Sequence, residues 1–372
     1  MRRFADAATT PPSLIFSLPV IDTIALHPGR AGSYSRRDAL VGWWLLAVCV
    51  LIFAMVVLGG VTRLTDSGLS IVEWQPLMGV LPPMDEAAWI QVFERYKAYP
   101  EYQKVNAGMT LAEFKTIFWF EYAHRVLGRV IGLAFLLPFL AFLVARRIDG
   151  TMVPRLVVLF VLGGLQGLLG WFMVQSGLVD RPDVSQYRLT AHLGLAVLIY
   201  CFMFWTALSF IGPPRGYSRL APRGWFVRFL VAWVFLVILS GGFVAGTDAG
   251  FAYNTFPLMD GRFVPLGLFD LSPTVINFFE NTITIQFTHR VLGVLTVTMV
   301  VLYWLFSRMR AHPGVFERRV NLVALAAVAQ AALGILTLLL VVPIPLAAAH
   351  QAGGLLLLTA TIYAVHAARS AS

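Results

Sequence analysis

The chain has 372 residues, of which 58% are hydrophobic and only 13% are charged, and its mean hydropathy is +0.76. Soluble domains carry roughly a quarter charged residues, so a soluble globular protein is excluded. The net charge of +9 does not indicate a nucleic-acid partner, because the Lys and Arg residues fall in short segments between apolar runs. Cys49 and Cys201 both lie inside apolar runs, which argues against a loop disulfide and against a thiolate-ligated metal.

Residues 1–38 form a polar N-terminal segment that is rich in Arg and poor in acids. Its apolar part, near residues 15–21, is too short and too broken for a signal peptide. Two interpretations stay open, a mitochondrial transit peptide and a disordered cytoplasmic tail, and we favour the tail.

Eight apolar runs follow, each near the 20 or so residues that a helix needs to cross a bilayer. They are expected at about residues 40–61, 117–144, 156–177, 188–210, 225–246, 283–306, 321–342 and 346–367. Most of the 28 Lys and Arg residues fall in the tail and in the connections after spans 2, 4 and 6. The positive-inside rule therefore predicts cytoplasmic termini and an outer first connection, residues 62–116. The predicted fold is an all-α, polytopic membrane protein.

An internal repeat divides the eight spans into two sets of four. The five residues from His124 to Gly128, in span 2, recur letter for letter from His289 to Gly293, in span 6. Other equivalent positions are the Gly59-Gly60 and Gly241-Gly242 pairs, the turns at 65–68 and 247–250, Gln166 and Gln330, and His192 and His350. We therefore expect two pseudo-symmetric four-helix bundles, residues 39–212 and 213–372, after the tail 1–38. Such bundles commonly hold cofactors between facing helices.

Four histidines lie in the first turns of the even-numbered spans, namely His124, His192, His289 and His350. Because every even span runs from outside to inside, these imidazoles are expected at one depth, near the outer face. Ionisable groups inside spans are costly and usually functional. Two imidazoles from facing helices are the usual way to hold a haem iron from both sides, whereas a zinc or copper site needs a closer cluster. The pattern favours bis-histidine haem, and the other three histidines, His27, His312 and His366, look incidental.

Arg125 and Arg290 directly follow two of these histidines. Arginine suits bidentate binding of carboxylates, and haem propionates are carboxylates. The alternative is that both side chains extend to the aqueous interface. From the sequence the two interpretations weigh equally.

Glu121 is the main difference between the two halves, since Gln286 stands at the equivalent position. At three residues from His124 it shares a helix face with that imidazole. A carboxylate at this place costs about 2–4 kcal/mol on insertion scales. The asymmetry suggests chemistry in the first half only, and the alternative is an interfacial Glu that faces water.

Two outer connections are long. Residues 85–96 have helical spacing and an apolar face, so this segment is expected to lie on the membrane surface. The fifth connection, about 247–282, is aromatic and has few charges. It either caps the bundle or lines a pocket.

At these positions the chain strongly resembles the haem A synthase family of bacterial and mitochondrial inner membranes, over all eight spans. The resemblance is carried by Gly59-Gly60-Val-Thr62-Arg63-Leu-Thr65, Ser67-Gly68-Leu-Ser70, Glu121-x-x-His124-Arg125, the His192 span, Tyr253-Asn254-Thr255-Phe256-Pro257-Leu258-Met259, His289-Arg290 and His350. Some members carry a cysteine pair in the outer loops. This chain has none there, so a thiol-linked redox step is not carried over.

The resemblance implies an oxidoreductase that converts a methyl group of haem O to the formyl group of haem A by successive hydroxylations, for terminal oxidases. It implies a cofactor haem b held by His289, His350 and Arg290. It implies that the substrate haem O is held by His124, His192 and Arg125, and that Glu121 is the catalytic carboxylate. All four histidines are then axial ligands of haem iron.

The partners implied are haem O, a haem O synthase (a farnesyltransferase), an unidentified electron donor and the lipid bilayer, without nucleic acid. A homo-oligomer stays open. The expected location is a bacterial inner membrane, ahead of a mitochondrial one. The alternative function is a non-catalytic electron-transfer cytochrome of the b type, which predicts haems near both membrane faces. A haem transporter or chaperone, with transient ligands, is a third class.

Overall fold

The computed structural model describes residues 36–73, 81–178, 184–211, 224–309 and 315–368. Regular structure in these ranges is helical throughout, apart from one isolated bridge between Met259 and Arg262. Eight of the described helices are long and apolar enough to cross a bilayer. The predictions of an all-α fold and of eight spans are confirmed.

The eight long helices are labelled α1 to α8 in chain order. They are α1 (Arg36–Leu64), α2 (Leu111–Val144), α3 (Val153–Gly177), α4 (Gln186–Ile211), α5 (Gly224–Gly246), α6 (Thr282–Met309), α7 (Val315–Leu339) and α8 (Ile344–Ala368). Residues 1–35 of the predicted tail lie outside the described residues. The last three residues of that segment, 36–38, belong to the first turn of α1, so the helix begins earlier than predicted.

The order of helix contacts is the same in the two halves of the chain. In the first half, α1 and α3 each pack against α2 and α4. In the second half, α5 and α7 each pack against α6 and α8. Contacts between α1 and α8 and between α4 and α5 join the halves. The pseudo-twofold axis itself stays a prediction.

The buried core runs along α1, α4 and α8. Val41, Leu45 and Val48 of α1 are fully buried, as are Val197 of α4 and Leu358 of α8. Lipid is as apolar as these side chains, so close packing, and not exclusion from water, is what holds the helices together. Both cysteines are free, one in α1 and one in α4.

Helix α2 begins at Leu111, six residues before the predicted start at 117. Thr110 and Glu113 form a capping box, in which Glu113 N donates to Thr110 Oγ1 and Thr110 N donates to Glu113 Oε2. This cap satisfies backbone groups that the apolar run cannot, so the helix extends beyond it. The prediction from apolarity alone was wrong here because the first turns of α2 are polar.

Helix α7 ends at Leu339, three residues before the predicted end at 342. Val341 N donates to Leu338 O (3.1 Å) and Val342 N donates to Thr337 O (2.8 Å), which closes the helix in a Schellman motif. Both valines have positive φ, 61° and 55°, which is rare for β-branched residues. The pattern of apolar residues does not predict this turn, because two valines are equally consistent with a continuing span.

Helices α1, α3, α5 and α7 end, and α2, α4, α6 and α8 begin, at one end of the bundle, which we call the loop end. In the connection after α1, a helix over Glu86–Lys97 begins at Asp85, whose carboxylate accepts from Ala88 N (2.7 Å). The expected amphipathic helix is present, but its apolar face is covered by protein. Trp89, Phe93 and Tyr96 are buried against the start of α2, at Phe114 and Phe118.

The connection after α5 is organised by Asn277, which is fully buried. Its Nδ2 donates to Leu271 O (2.7 Å) and Thr274 O (3.0 Å), and its Oδ1 accepts from Leu271 N (2.9 Å). One amide therefore fixes the path of the loop. At its start, Asp248 pairs with Arg63 across the two halves (3.0 Å).

Candidate functional site

The four histidines of the repeat lie on α2, α4, α6 and α8, each in the half of its helix that faces the loop end. Each is partly enclosed by neighbouring helices. His366 is at the opposite end of α8, where its ring meets the edge of Trp205 (centroids 5.3 Å apart). His27 and His312 lie outside the described residues.

His289 and His350 form a facing pair. Their ring centroids are 6.3 Å apart and their planes are nearly perpendicular, at 89°. A metal ion held by two opposed imidazole nitrogens, each about 2 Å away, separates the ring centres by about 6 Å. The pair therefore fits an ion bound from both sides.

His124 and His192 lie on α2 and α4 of the first half, which both pack against α1 and α3. The structure thus brings the histidines together within each half. Among the residues that the structure describes, no group of three or more His, Cys, Asp or Glu could hold an ion. The imidazoles are arranged as pairs and not as a compact cluster.

Each of these imidazoles lies against a glycine of the preceding helix. A Cβ atom built on the glycine would lie 3.2 Å from His124 at Gly59, 2.9 Å from His192 at Gly170, 3.2 Å from His289 at Gly241 and 2.7 Å from His350 at Gly334. These separations are tighter than ordinary contacts, so larger side chains would displace the rings. Four glycines therefore make the space in which the four imidazoles sit.

The second glycine of each pair faces the other half of the chain. A Cβ at Gly60 would coincide with the Gln351 side chain of α8, and one at Gly242 would lie 3.0 Å from Thr190 Oγ1 of α4. Gln351 also donates to Val56 O of α1 (2.9 Å). In each Gly-Gly pair, the first glycine therefore leaves space for an imidazole, and the second allows close contact between the two halves.

Three of the imidazoles have a side-chain hydrogen-bond partner. Gln166 Nε2 lies 3.3 Å from His192 Nε2 and donates to His192 O (2.9 Å). Gln330 Nε2 lies 3.1 Å from His350 Nδ1 and donates to His350 O (2.8 Å). Ser240 Oγ lies 2.8 Å from His289 Nδ1. Sequence reasoning found the two glutamines only as repeat positions and missed Ser240, whose one signal is its place directly before Gly241.

Glu121 is buried, with 3% of its surface exposed, so the interpretation of a water-facing carboxylate is wrong. Its Oε1 accepts from Arg125 Nε (3.0 Å) and Nη2 (2.6 Å). Its Oε2 accepts from Ser70 Oγ (2.7 Å) and from Ile71 N (2.8 Å). The carboxylate therefore joins α2 to the connection that follows α1.

Gln286 makes the equivalent attachment in the second half. Its Nε2 donates to Tyr253 O (3.0 Å) and to Gly250 O (3.3 Å), in the connection after α5. Within the described chain its Oε1 is buried and has no hydrogen-bond partner. An amide thus replaces the carboxylate without replacing its ion pair.

Arg125 and Arg290 both bind loop carbonyls, and neither simply extends into water. Arg125 donates to Ile71 O (2.7 Å) and Glu73 O (3.2 Å), besides Glu121. Arg290 donates to Thr255 O (2.7 Å) and to Tyr253 O. Each guanidinium therefore ties the loop that covers the histidines of its own half.

A family model for the COX15-CtaA family, described as cytochrome oxidase assembly protein, matches residues 42–362. The chain belongs to this family. It is 56% identical to the haem A synthase of Nitrosospira multiformis over 329 residues, which cover 88% of this chain and 92% of that protein. It is 51% identical to the haem A synthase of Parvibaculum lavamentivorans over 342 residues, 91% of this chain and 97% of that protein.

Within this member of the COX15-CtaA family, one buried donor is left over beside the second pair of histidines. Arg290 Nε is buried and has no hydrogen-bond partner among the described residues, whereas Arg125 Nε donates to Glu121. An unpaired buried donor of a charged group is costly. A ligand carboxylate would satisfy it, so the donor set of the second half fits a haem and its propionate.

Proposed function

We propose that this protein oxidises the methyl group of haem O to the formyl group of haem A by successive hydroxylations. The names of its relatives and its family membership support an oxidoreductase that acts on haem in the membrane. The observation that carries the proposal is one pair of histidines in each half, at the same end of the bundle, with a buried carboxylate on a histidine-bearing helix of the first half only.

The second half, residues 213–372, is proposed to hold haem b as a resident cofactor. His289 and His350 would be its axial ligands, which their 6.3 Å separation supports, and Arg290 Nε would bind a propionate. When bound, this haem supplies one-electron redox chemistry. The protein's own part is to position the two residues, through Ser240 at the His289 imidazole and Gln330 at the His350 backbone carbonyl.

The first half, residues 39–212, is proposed to hold the substrate, haem O, between His124 and His192. Arg125 fixes the loop over this site, and Glu121 is the proposed catalytic carboxylate. Ser70 Oγ, at 2.7 Å from Glu121 Oε2, links the carboxylate to that loop. As a general acid or base, Glu121 would exchange a proton with the substrate. Binding and proton transfer thus fall to one half, and electron supply to the other.

The proposed setting is a bacterial inner membrane, with both termini in the cytoplasm and the loop end outside. The distribution of basic residues supports this orientation. Haem O would be supplied by a haem O synthase, and the hydroxylations require an external oxidant as well as an electron donor. The alternative of a b-type electron-transfer cytochrome is less well supported, because all four histidines lie towards one end of the helices.

The test is extraction and mass identification of the haems of the purified protein, before and after haem O is supplied to the cells. We expect haem B together with haem O or haem A, and a rise in haem A when haem O is supplied. A preparation that contains haem B alone under both conditions would contradict the proposal and favour the non-catalytic cytochrome.

The Glu121→Gln variant tests the role of the carboxylate. Because Gln286 occupies the equivalent place, the variant should fold, keep haem B and accumulate haem O or a partly oxidised product. The haem A yield should fall about 100-fold or more, the range for loss of a general acid or base. Glu113→Gln is the matched control, because Glu113 is exposed on the same helix. Wild-type haem A from Glu121→Gln would reduce this residue to a loop anchor, and loss of all haem would make it part of the fold.

A further inference from the structure

Ser240 and Leu58 occupy equivalent positions in the two halves, each directly before a Gly-Gly pair. The first glycine of each pair meets the imidazole of its own half: a Cβ built on Gly59 would lie 3.2 Å from His124 Nε2, and one built on Gly241 would lie 3.2 Å from His289 Cε1. The two residues therefore occupy corresponding places in the repeat, each beside the helix that carries the imidazole. One carries a hydroxyl and the other does not.

The hydrogen bonds of Ser240 fix the tautomer of His289. Ser240 Oγ lies 2.7 Å from Val237 O and 2.8 Å from His289 Nδ1. A hydroxyl has one proton, and the carbonyl of Val237 can only accept it. Ser240 Oγ must then accept from His289 Nδ1–H, which leaves the lone pair on His289 Nε2. A partner of this kind holds the ring in place and raises the basicity of a metal-binding imidazole.

His124 has no such partner. Leu58 offers no polar atom, and no hydrogen bond reaches the His124 imidazole from any residue that the structure describes. The imidazoles of His192 and His350 both lie within hydrogen-bond distance of a glutamine. Of the four imidazoles, His124 alone is positioned by packing and not by a side-chain hydrogen bond within the described part of the chain.

We propose that Ser240 makes His289 a permanent ligand, whereas Leu58 leaves His124 as the ligand that releases the substrate haem. This inference rests on the proposed function, in which one haem stays and the other must be exchanged. A substrate whose iron is held from both sides can bind, react and leave only if one ligand yields. The asymmetry at positions 58 and 240 assigns that role to His124.

Two substitutions, Ser240→Ala and Leu58→Ser, test the inference. Both sites are filled with haem B, and the transfer of haem to excess apomyoglobin is followed by visible absorption. Ser240→Ala should speed the loss of haem from the second half about 10- to 100-fold, the usual effect of removing a partner of a metal-binding His. Leu58→Ser should slow the loss from the first half at least 10-fold and lower the fraction of reduced haem that binds carbon monoxide. His289→Ala identifies the kinetic phase of each half.

Two controls separate the hydroxyl from other effects. Leu58→Ala shortens the side chain without adding a hydroxyl, so it should not slow haem loss. Ser307→Ala, on the same helix as His289, removes a serine whose hydroxyl likewise bonds a carbonyl three residues back, at Trp304 (2.8 Å), and it should change nothing. Unchanged loss from both halves in Ser240→Ala and Leu58→Ser would overturn the inference. Because haem B is used throughout, that failure is distinct from a failure to make haem A.

Discussion

The Gly334→Ala substitution tests whether the space beside His350 is required for the haem b that we propose in the second half. A Cβ at this position would lie 2.7 Å from His350 Cε1 and 3.2 Å from Nδ1, whereas ordinary contacts begin at 3.4 Å. The ring, or α7, must therefore move by about 0.7 Å, the difference between 2.7 and 3.4 Å. Metal–ligand distances tolerate changes of about 0.2 Å.

The magnitude follows from two opposed effects. Alanine in place of glycine stabilises a helix interior by roughly 1 kcal/mol, so the variant should fold. Overpacking of a well-packed site costs about 1–3 kcal/mol, and here that cost falls on the arrangement of the two imidazoles. At about 1.4 kcal/mol for each factor of ten, we expect affinity for haem b to fall about 5- to 150-fold.

The assay is the low-spin haem spectrum of purified protein, with the haem content per chain after dialysis. Gly164→Ala, in α3 of the first half, is the control, because this glycine is exposed and a Cβ there meets nothing within 4 Å. Gly334→Ala should lose most of the second-half haem, and Gly164→Ala should retain it. If both variants keep haem b with an unchanged spectrum, the glycine is not needed to seat His350.

Two further predictions concern the loop end. Burial raises the pKa of Glu101 from its ordinary value of 4.5 to about 8. Between these pH values the folded loop keeps a proton that the unfolded loop releases. The stability of the folded loop therefore falls by up to about 4 kcal/mol as the pH rises from 4.5 to 8. Amide hydrogen exchange of residues 86–110 measures the stability of the loop at each pH. Glu101→Gln should abolish the loss of stability with rising pH, and a pH profile like that of the wild type would contradict the prediction. Asp248→Asn removes the charge that pairs with Arg63 but tolerates the positive φ of 52°. The free energy of unfolding in 150 mM salt should fall by less than about 1 kcal/mol, because the pair is exposed. A larger loss would make this pair a structural link between the halves.

Much of the fold follows from the sequence because the signals are long and redundant. Eight apolar runs predict eight spans, and the recurrence of His124–Gly128 as His289–Gly293 predicts which helices correspond. The pairing of His289 with His350 follows from the same repeat, since equivalent helices occupy equivalent places. The positions of the helix ends were predicted less accurately. The Schellman turn at Val341 and Val342 depends on backbone angles that apolar side chains do not reveal.

Hydrogen-bond directions at the site could not be read from spacing. The spacing of Glu121 and His124 predicts a shared helix face, yet the carboxylate binds Ser70 and Ile71, in a connection whose path no periodicity specifies. Arg125 likewise binds loop carbonyls, which the sequence does not indicate as its partners. Ser240 looked like one small residue among many in an apolar span. Each of these contacts requires knowledge of the loop or of the neighbouring helix.

The contacts between the halves bear on how such a chain could have arisen. The α1–α8 contact repeats the α5–α4 contact, as expected if a single four-helix ancestor associated with a copy of itself through this surface. In a homodimer every position must be the same in both subunits, so an acid or a hydroxyl at one site would also stand at the other. Gene fusion removes that constraint. Glu121 against Gln286, and Leu58 against Ser240, are differences that a homodimer could not have, and in the proposed function they would give the two haem sites separate tasks.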